Sequence, residues 1–147
     1  MTQKIIFEIY LDNDFLLNIC SVRALKSVLN KIWSIYDLKS ETYYEANIDP
    51  SILSRDVHSN IYKLAAVALS ASISGIDFLV LPPGDLKTGN PDLKWLTTSL
   101  HTQHILKQEA HLATLTDPAA GAYFIEDLTE QIAGKLWLAL QKKLRND

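Results

Sequence analysis

The 147-residue chain has one cysteine, one methionine and five glycines, no apolar run long enough to span a membrane, and little excess of either charge. Each scarcity excludes something. A lone Cys20 cannot close a disulfide within the chain or supply paired cysteines to a zinc site, and it fits a reducing compartment. The glycines, at 75, 84, 89, 121 and 134, form neither G-x-G-x-x-G nor G-x-x-x-x-G-K-[ST], so no phosphate-cradling turn is expected. H-E-x-x-H and G-x-S-x-G are also missing. With 14 Lys+Arg against 17 Asp+Glu the net charge is −3, and no basic stripe offers a footprint for nucleic acid or an anionic membrane. Apolar stretches such as residues 64–69 fall far short of the ~18 a membrane span needs. Glu8 interrupts the early run Ile5-Ile6-Phe7, unlike a secretory signal. What remains, 48% hydrophobic and 21% charged, is the composition of a globular protein, expected to be cytoplasmic and a single domain over residues 1–147.

Apolar periodicity gives the order of elements. Residues 4–11 (KIIFEIYL) are β-branched, aromatic and almost continuously apolar, which predicts a strand covered on both faces. Asp12-Asn13-Asp14 supplies N-cap chemistry, and Phe15, Ile19, Val22, Leu25, Leu29, Ile32 and Tyr36 then line one helical face. Residues 42–48 (TYYEANI) read as a second strand, closed by Asp49-Pro50. Residues 56–74 form a helix crowded with alanine and serine, stopped by Gly75. Residues 76–81 (IDFLVL), bounded by Gly75 and Pro82-Pro83-Gly84, read as a central parallel strand. A helix over about residues 93–112, a short fourth strand near 113–116, a turn at 117–121 and a helix over about 124–144 complete the chain. The last helix turns Ile125, Leu128, Ile132, Leu136 and Leu140 to one side. Alternation of this kind predicts an α/β fold of parallel strands with helical crossovers, either an open doubly wound sheet or part of a (β/α)8 barrel.

Three candidate clusters are weighed against plainer readings. His101, His104 and His111 fall within an arc of about 80° on a helix, but His111 lies ~10 Å along the axis from His104. They read as a solvated polar stripe, since one face cannot bring all three to a metal. Asp56-Val57-His58 matches the first half of the D-x-H-x-x-G signature that places a histidine under cobalt in cobalamin domains, yet Ile61 stands where the glycine belongs. Asp56 reads instead as a helix cap with His58 in the exposed first turn. Cys20 reads as a small core residue, and Trp33, Trp95 and Trp137 as packing.

One stretch is more specific. Residues 103–109 (QHILKQE), His111-Leu112, residues 117–129 (DPAAGAYFIEDLT) and residues 133–140 (AGKLWLAL) resemble the end of the substrate barrel of methylmalonyl-CoA mutases, whose string is D-P-A-[AG]-G-[SA]-Y-[YF]-x-E-x-L-T. Residues 13–25 (NDFLLNICSVRAL) resemble the family's N-x-F-x-E-I-A-K-x-R-A-L helix, and Asp56 with Asn60 its D-P-Y-x-N helix start. The resemblance implies the later half of a TIM-type (β/α)8 barrel, about four βα units, with the pantetheine arm of an acyl-CoA on its axis. Adenosylcobalamin, in the family's holoenzyme, sits on a separate domain that these residues do not resemble.

The departures from the family pattern bear on activity. H-x-Q-T-S corresponds to residues 44–48, so the glutamine becomes Ala46. H-T-N-x-x-D-E corresponds to residues 80–86, so Asn and Glu become Pro82 and Leu86 while Asp85 stays. R-T becomes Lys63-Leu64. Proline and leucine offer no polar side-chain atom to orient a ribose hydroxyl. The resemblance therefore implies a small-subunit-like chain with no catalytic residue, no cofactor-binding residue and no metal ligand of its own, acting through association with a mutase large subunit or a second copy. Two alternatives stay open. The chain contributes to an acyl-CoA mutase site, with Asn47, Asp49 and Asp85 as candidate substrate contacts at strand ends, or it is a self-associating half barrel with another ligand or none. A full barrel takes ~250 residues, so a chain of this length is expected to leave sheet edges open.

Overall fold

The computed structural model describes residues 3–38, 40–90 and 92–146. Three strands and four α-helices alternate: β1 (Gln3–Leu11), α1 (Phe15–Ile35), β2 (Ser40–Ile48), α2 (Val57–Ile73), β3 (Phe78–Val80), α3 (Leu93–Gln108) and α4 (Tyr123–Asn146), with 3-10 turns at Pro50–Ile52 and Leu112–Thr114. All three strands are parallel, in the order β1-β2-β3. None of the described helices is long and apolar enough to cross a membrane.

The helices begin where cap chemistry says they should. Asp14 accepts the Leu17 N–H at 3.0 Å to start α1, and Asp56 accepts those of His58 and Ser59 to start α2. Gly75, at φ +74°, takes the left-handed conformation that ends α2. Lys26 of α1 donates to the Ser74 and Gly75 carbonyls there, and burial pushes its ammonium pKa down. Of the predicted α1 stripe, Ile19, Val22 and Leu29 are buried while Tyr36 ends exposed. The small residues of α2 do what their size allows: Ala68, Ser70 and Ala71 are fully buried, where the helix packs closely on its neighbours. Leu11, Val22, Ala46, Ile48, Leu64, Val67 and Leu81 join Ala68 and Ala71 in one core between the sheet and the first two helices.

Three expectations need correction. The strand predicted at residues 76–81 is only three residues long and lies at a sheet edge instead of the centre. The Asp77 side chain accepts the Tyr44 N–H at 2.8 Å, taking the place of a backbone carbonyl, and Pro82-Pro83 has no N–H to continue the ladder. The fourth strand near residues 113–116 is not formed: His111 adopts φ 51°, and its carbonyl accepts both the N–H and the hydroxyl of Thr114, closing a 3-10 turn. The described residues therefore hold three βα units, not about four. Finally, β1 is covered on one face only. Leu11 is buried with the helices, whereas Ile6 and Tyr10 are 58% and 65% exposed. An almost continuous apolar run says that a strand is apolar, not which face is covered.

Candidate functional site

Barrel and doubly wound enzymes alike do their chemistry at the C-terminal ends of parallel strands, and here that end is built from the segments after β2 and β3. Asn60, on the first turns of α2, organises both. Its Nδ2 donates to the Ser54 carbonyl at 2.8 Å and the Gly84 carbonyl at 2.7 Å, while its Oδ1 accepts the Ser54 N–H at 2.8 Å and the Ser54 hydroxyl at 3.2 Å. With no exposed surface, Asn60 satisfies its whole side-chain amide by tying the two segments together. Lysines add to this. Lys63 donates to the Ile52 carbonyl and Lys87 to that of Leu53, at 2.9 and 2.8 Å.

The three predicted substrate contacts share this end of the sheet but form no hydrogen-bonded cluster. Asn47 lies on the uncovered face, where its amide donates to Glu45 Oε1 at 3.1 Å. Asp49 caps the 3-10 turn, accepting the Ser51 N–H at 2.8 Å, and its own N–H donates to the Leu11 carbonyl. Asp85 is turned inside, 2% exposed. Its Oδ2 accepts the Asp92 N–H at 2.6 Å, pinning the loop that leads to α3, and its Oδ1 has no partner among the described residues. The positions of the missing family groups are equally structural. Ala46 is core, the Pro82 carbonyl accepts the Ser99 hydroxyl at 2.8 Å, and Leu86 points to solvent.

Asp49 carries a pH dependence. The Ser51 backbone N–H, then its hydroxyl, hold the carboxyl below the usual carboxylate range. A depressed carboxyl pKa stabilises the fold above the unfolded value, about 3.9, and that stabilisation is lost as pH falls through the folded value. Asp49→Asn should therefore lie below wild type in urea midpoint near pH 7, with the gap closing as pH falls below the unfolded carboxylate value.

The other candidates lie apart from this end of the sheet or are engaged in contacts of their own. His101 and His104 are exposed on α3 and His111 sits beyond its end, and no group of three His, Cys, Asp or Glu side chains is placed to hold a metal among the described residues. His58 stacks edge-on against Trp95 with ring centroids 5.6 Å apart. Cys20 is buried with its thiol 3.7 Å from the Ile125 carbonyl, where α1 meets α4. Trp33 donates to the Thr42 hydroxyl at 3.1 Å, and Lys31 lies 4.4 Å above the Trp137 ring.

One residue that sequence reasoning did not single out is Arg23. Its guanidinium grips both carboxylate oxygens of Asp117 and reaches Glu126 Oε1 at 2.8 Å, and the same Glu126 oxygen accepts the Gly121 N–H. Burial opposes its charge, yet Asp117 and then Glu126 hold its pKa above the ordinary arginine value. The longest matching string thus closes on an arginine of the other matching helix, and the signal was available in that both motifs carry the charged residues of the clamp. Since Asp117 and Glu126 are 38% and 48% exposed, Arg23→Ala should cost only about 1 kcal/mol. Paired urea titrations of wild type and variant measure it.

The sequence model of the family described as methylmalonyl-CoA mutase matches residues 1–144. The methylmalonyl-CoA mutase small subunit of Streptomyces virginiae is 34% identical over 83 residues, covering 56% of this chain and 14% of that protein. The small subunit from Propionibacterium freudenreichii subsp. shermanii is 24% identical over 141 residues, 92% of this chain and 22% of the relative. The methylmalonyl-CoA mutase of Escherichia coli is 30% identical over 92 residues, 63% of this chain and 13% of the relative. The chain thus spans less than a quarter of the length of these relatives. With nearly its whole length matched, it belongs to the methylmalonyl-CoA mutase family.

Proposed function

We propose that this chain is a small-subunit-like, non-catalytic member of its family that works by associating with a mutase large subunit. The complex is an adenosylcobalamin-dependent acyl-CoA isomerase whose cofactor is held by the partner. The chain is a segment of a (β/α)8 barrel, with its helices outside and its uncovered sheet face toward the bore.

The observation that carries this reading is the fate of Asp85. It is the one residue kept from the matched ligand set after β3, and it is turned inside the fold with one carboxylate oxygen held by a backbone N–H. The rest of that set points the same way. The residues do not fit adenosylcobalamin: Pro82 and Leu86 have no polar side-chain atom, and Asp56 and His58 are engaged by the α2 N-terminus and by Trp95. The ties that hold the fold are present meanwhile, among them the Asn60 and Arg23 clamps. Size-exclusion with light scattering of the chain mixed with a purified methylmalonyl-CoA mutase large subunit should give a stoichiometric complex. A mixture that elutes as two separate species contradicts the reading.

A further inference from the structure

The half-buried Ile125, Leu128 and Ile132 of α4 lie on one side of a helix that packs chiefly on α1. The opposite side is not an ordinary solvated face. Phe124, Asp127, Gln131, Gly134 and Leu138 follow one another at steps of three, four, three and four, the spacing of a seam between two helices. Lys142 and Arg145 extend the stripe, which keeps within an arc of about 80°. All of these residues are exposed, Phe124 by 60% and Leu138 by 66%. Gly134 stands at the middle of this 24-residue helix, although glycine is among the poorest helix formers. Its own fold makes no use of it: its φ is not positive, and an added Cβ would meet nothing within 4 Å among the described residues. A bare backbone at the centre of a seam leaves room for a second helix to approach closely.

The charges choose the occupant. The stripe is acidic toward its start at Asp127 and basic toward its end at Lys142 and Arg145, and none of the three is in an ion pair among the described residues. An anionic lipid surface or a nucleic acid would meet Asp127 and Glu130 together with the two cations. A parallel copy would set Asp127 on Asp127 and Lys142 on Lys142. An antiparallel copy is complementary instead. We propose that α4 pairs with the α4 of a second copy, antiparallel, in a two-fold contact that crosses at Gly134. Such a contact is self-complementary, so each pairing occurs twice. Each Asp127 faces Lys142 of the other copy, each Phe124 ring faces the Arg145 guanidinium, and each Leu138 lies on the methylenes of Gln131. A crossing of about 20° keeps these pairs within reach along the helix. This side of α4 is remote from the bore side of the sheet, and the proposal does not rest on the mutase reading.

Sedimentation of the chain alone at low salt, from about 5 µM to about 500 µM, tests it: one helix crossing is a small contact, so a monomer–dimer equilibrium of micromolar order is expected. Gly134→Gln should weaken the dimer roughly tenfold or more. It replaces glycine with a better helix former on an exposed face, so the monomer itself should be no less stable. Asp127→Lys and Lys142→Asp should each weaken self-association, and the double variant Asp127→Lys/Lys142→Asp should regain it, which a parallel pair would not do. Wild type that stays monomeric over this range overturns the proposal. So does a dimer that Gly134→Gln and the single charge reversals leave unchanged, since it forms through another surface. If wild type is monomeric and Gly134→Gln instead weakens binding to a mutase large subunit, the occupant is that subunit and not a second copy. No large subunit enters the sedimentation of the chain alone, so a failure there leaves the mutase reading untouched.

Discussion

Asn60→Ala is expected to lower the stability of the chain by roughly 3 kcal/mol and to free both segments at the C-terminal end of the sheet. The side chain has no exposed surface and makes four hydrogen bonds, two to Ser54 backbone atoms, one to the Ser54 hydroxyl and one to the Gly84 carbonyl. Truncation leaves buried backbone groups of both segments without partners, and an unmade buried bond costs more than a made one contributes. Asn60→Asp tests the same point from the other side. It keeps the acceptor for Ser54 but sets a carboxylate oxygen against the two carbonyls, so it should be at least as damaging. Urea midpoints measure the loss, and hydrogen exchange should show it at residues 50–56 and 82–92.

The second large effect lies in the core. Leu64 is 3% exposed in the cluster that α1, α2 and the sheet share, so Leu64→Ala should cost between about 2 and 5 kcal/mol, the transfer of the lost methyl groups plus the cavity they leave. A lowered urea midpoint with an unchanged slope would identify this as lost packing and not an altered unfolded state. The position is also one of the departures from the family pattern. The small-residue helix carries leucine where the pattern has threonine, and that leucine is packed in the core.

Much of this fold was legible because its signals are local. Asp14 and Asp56 announce the starts of α1 and α2, and Gly75 the end of α2, each through a backbone group within a few residues. The stripe of α1 needed only a period. What escaped depends on residues far apart in sequence. Asp77 shortens β3 by standing in for a strand partner of Tyr44, thirty-three positions away, and no pattern within the strand signals it. Ile6 and Tyr10 read as core because a parallel strand is usually buried on both faces, and only the order of the three strands and the placement of the helices reveal the face left open. The candidate site was legible in position but not in use. Asn47, Asp49 and Asp85 do lie at one end of the sheet, yet one carboxylate oxygen each of Asp49 and Asp85 is held by a backbone N–H group.

Asn47 and Asp49 also provide the most direct test of a chain that assembles but does not react. The large subunit would be reconstituted with wild type, Asn47→Ala or Asp49→Asn, and turnover of methylmalonyl-CoA with adenosylcobalamin measured per assembled complex. A non-catalytic role predicts a kcat within about twofold of wild type for both variants. A fall of roughly tenfold or more at unchanged assembly would mean that a contact made in the transition state has been removed, and would place this chain in the active site.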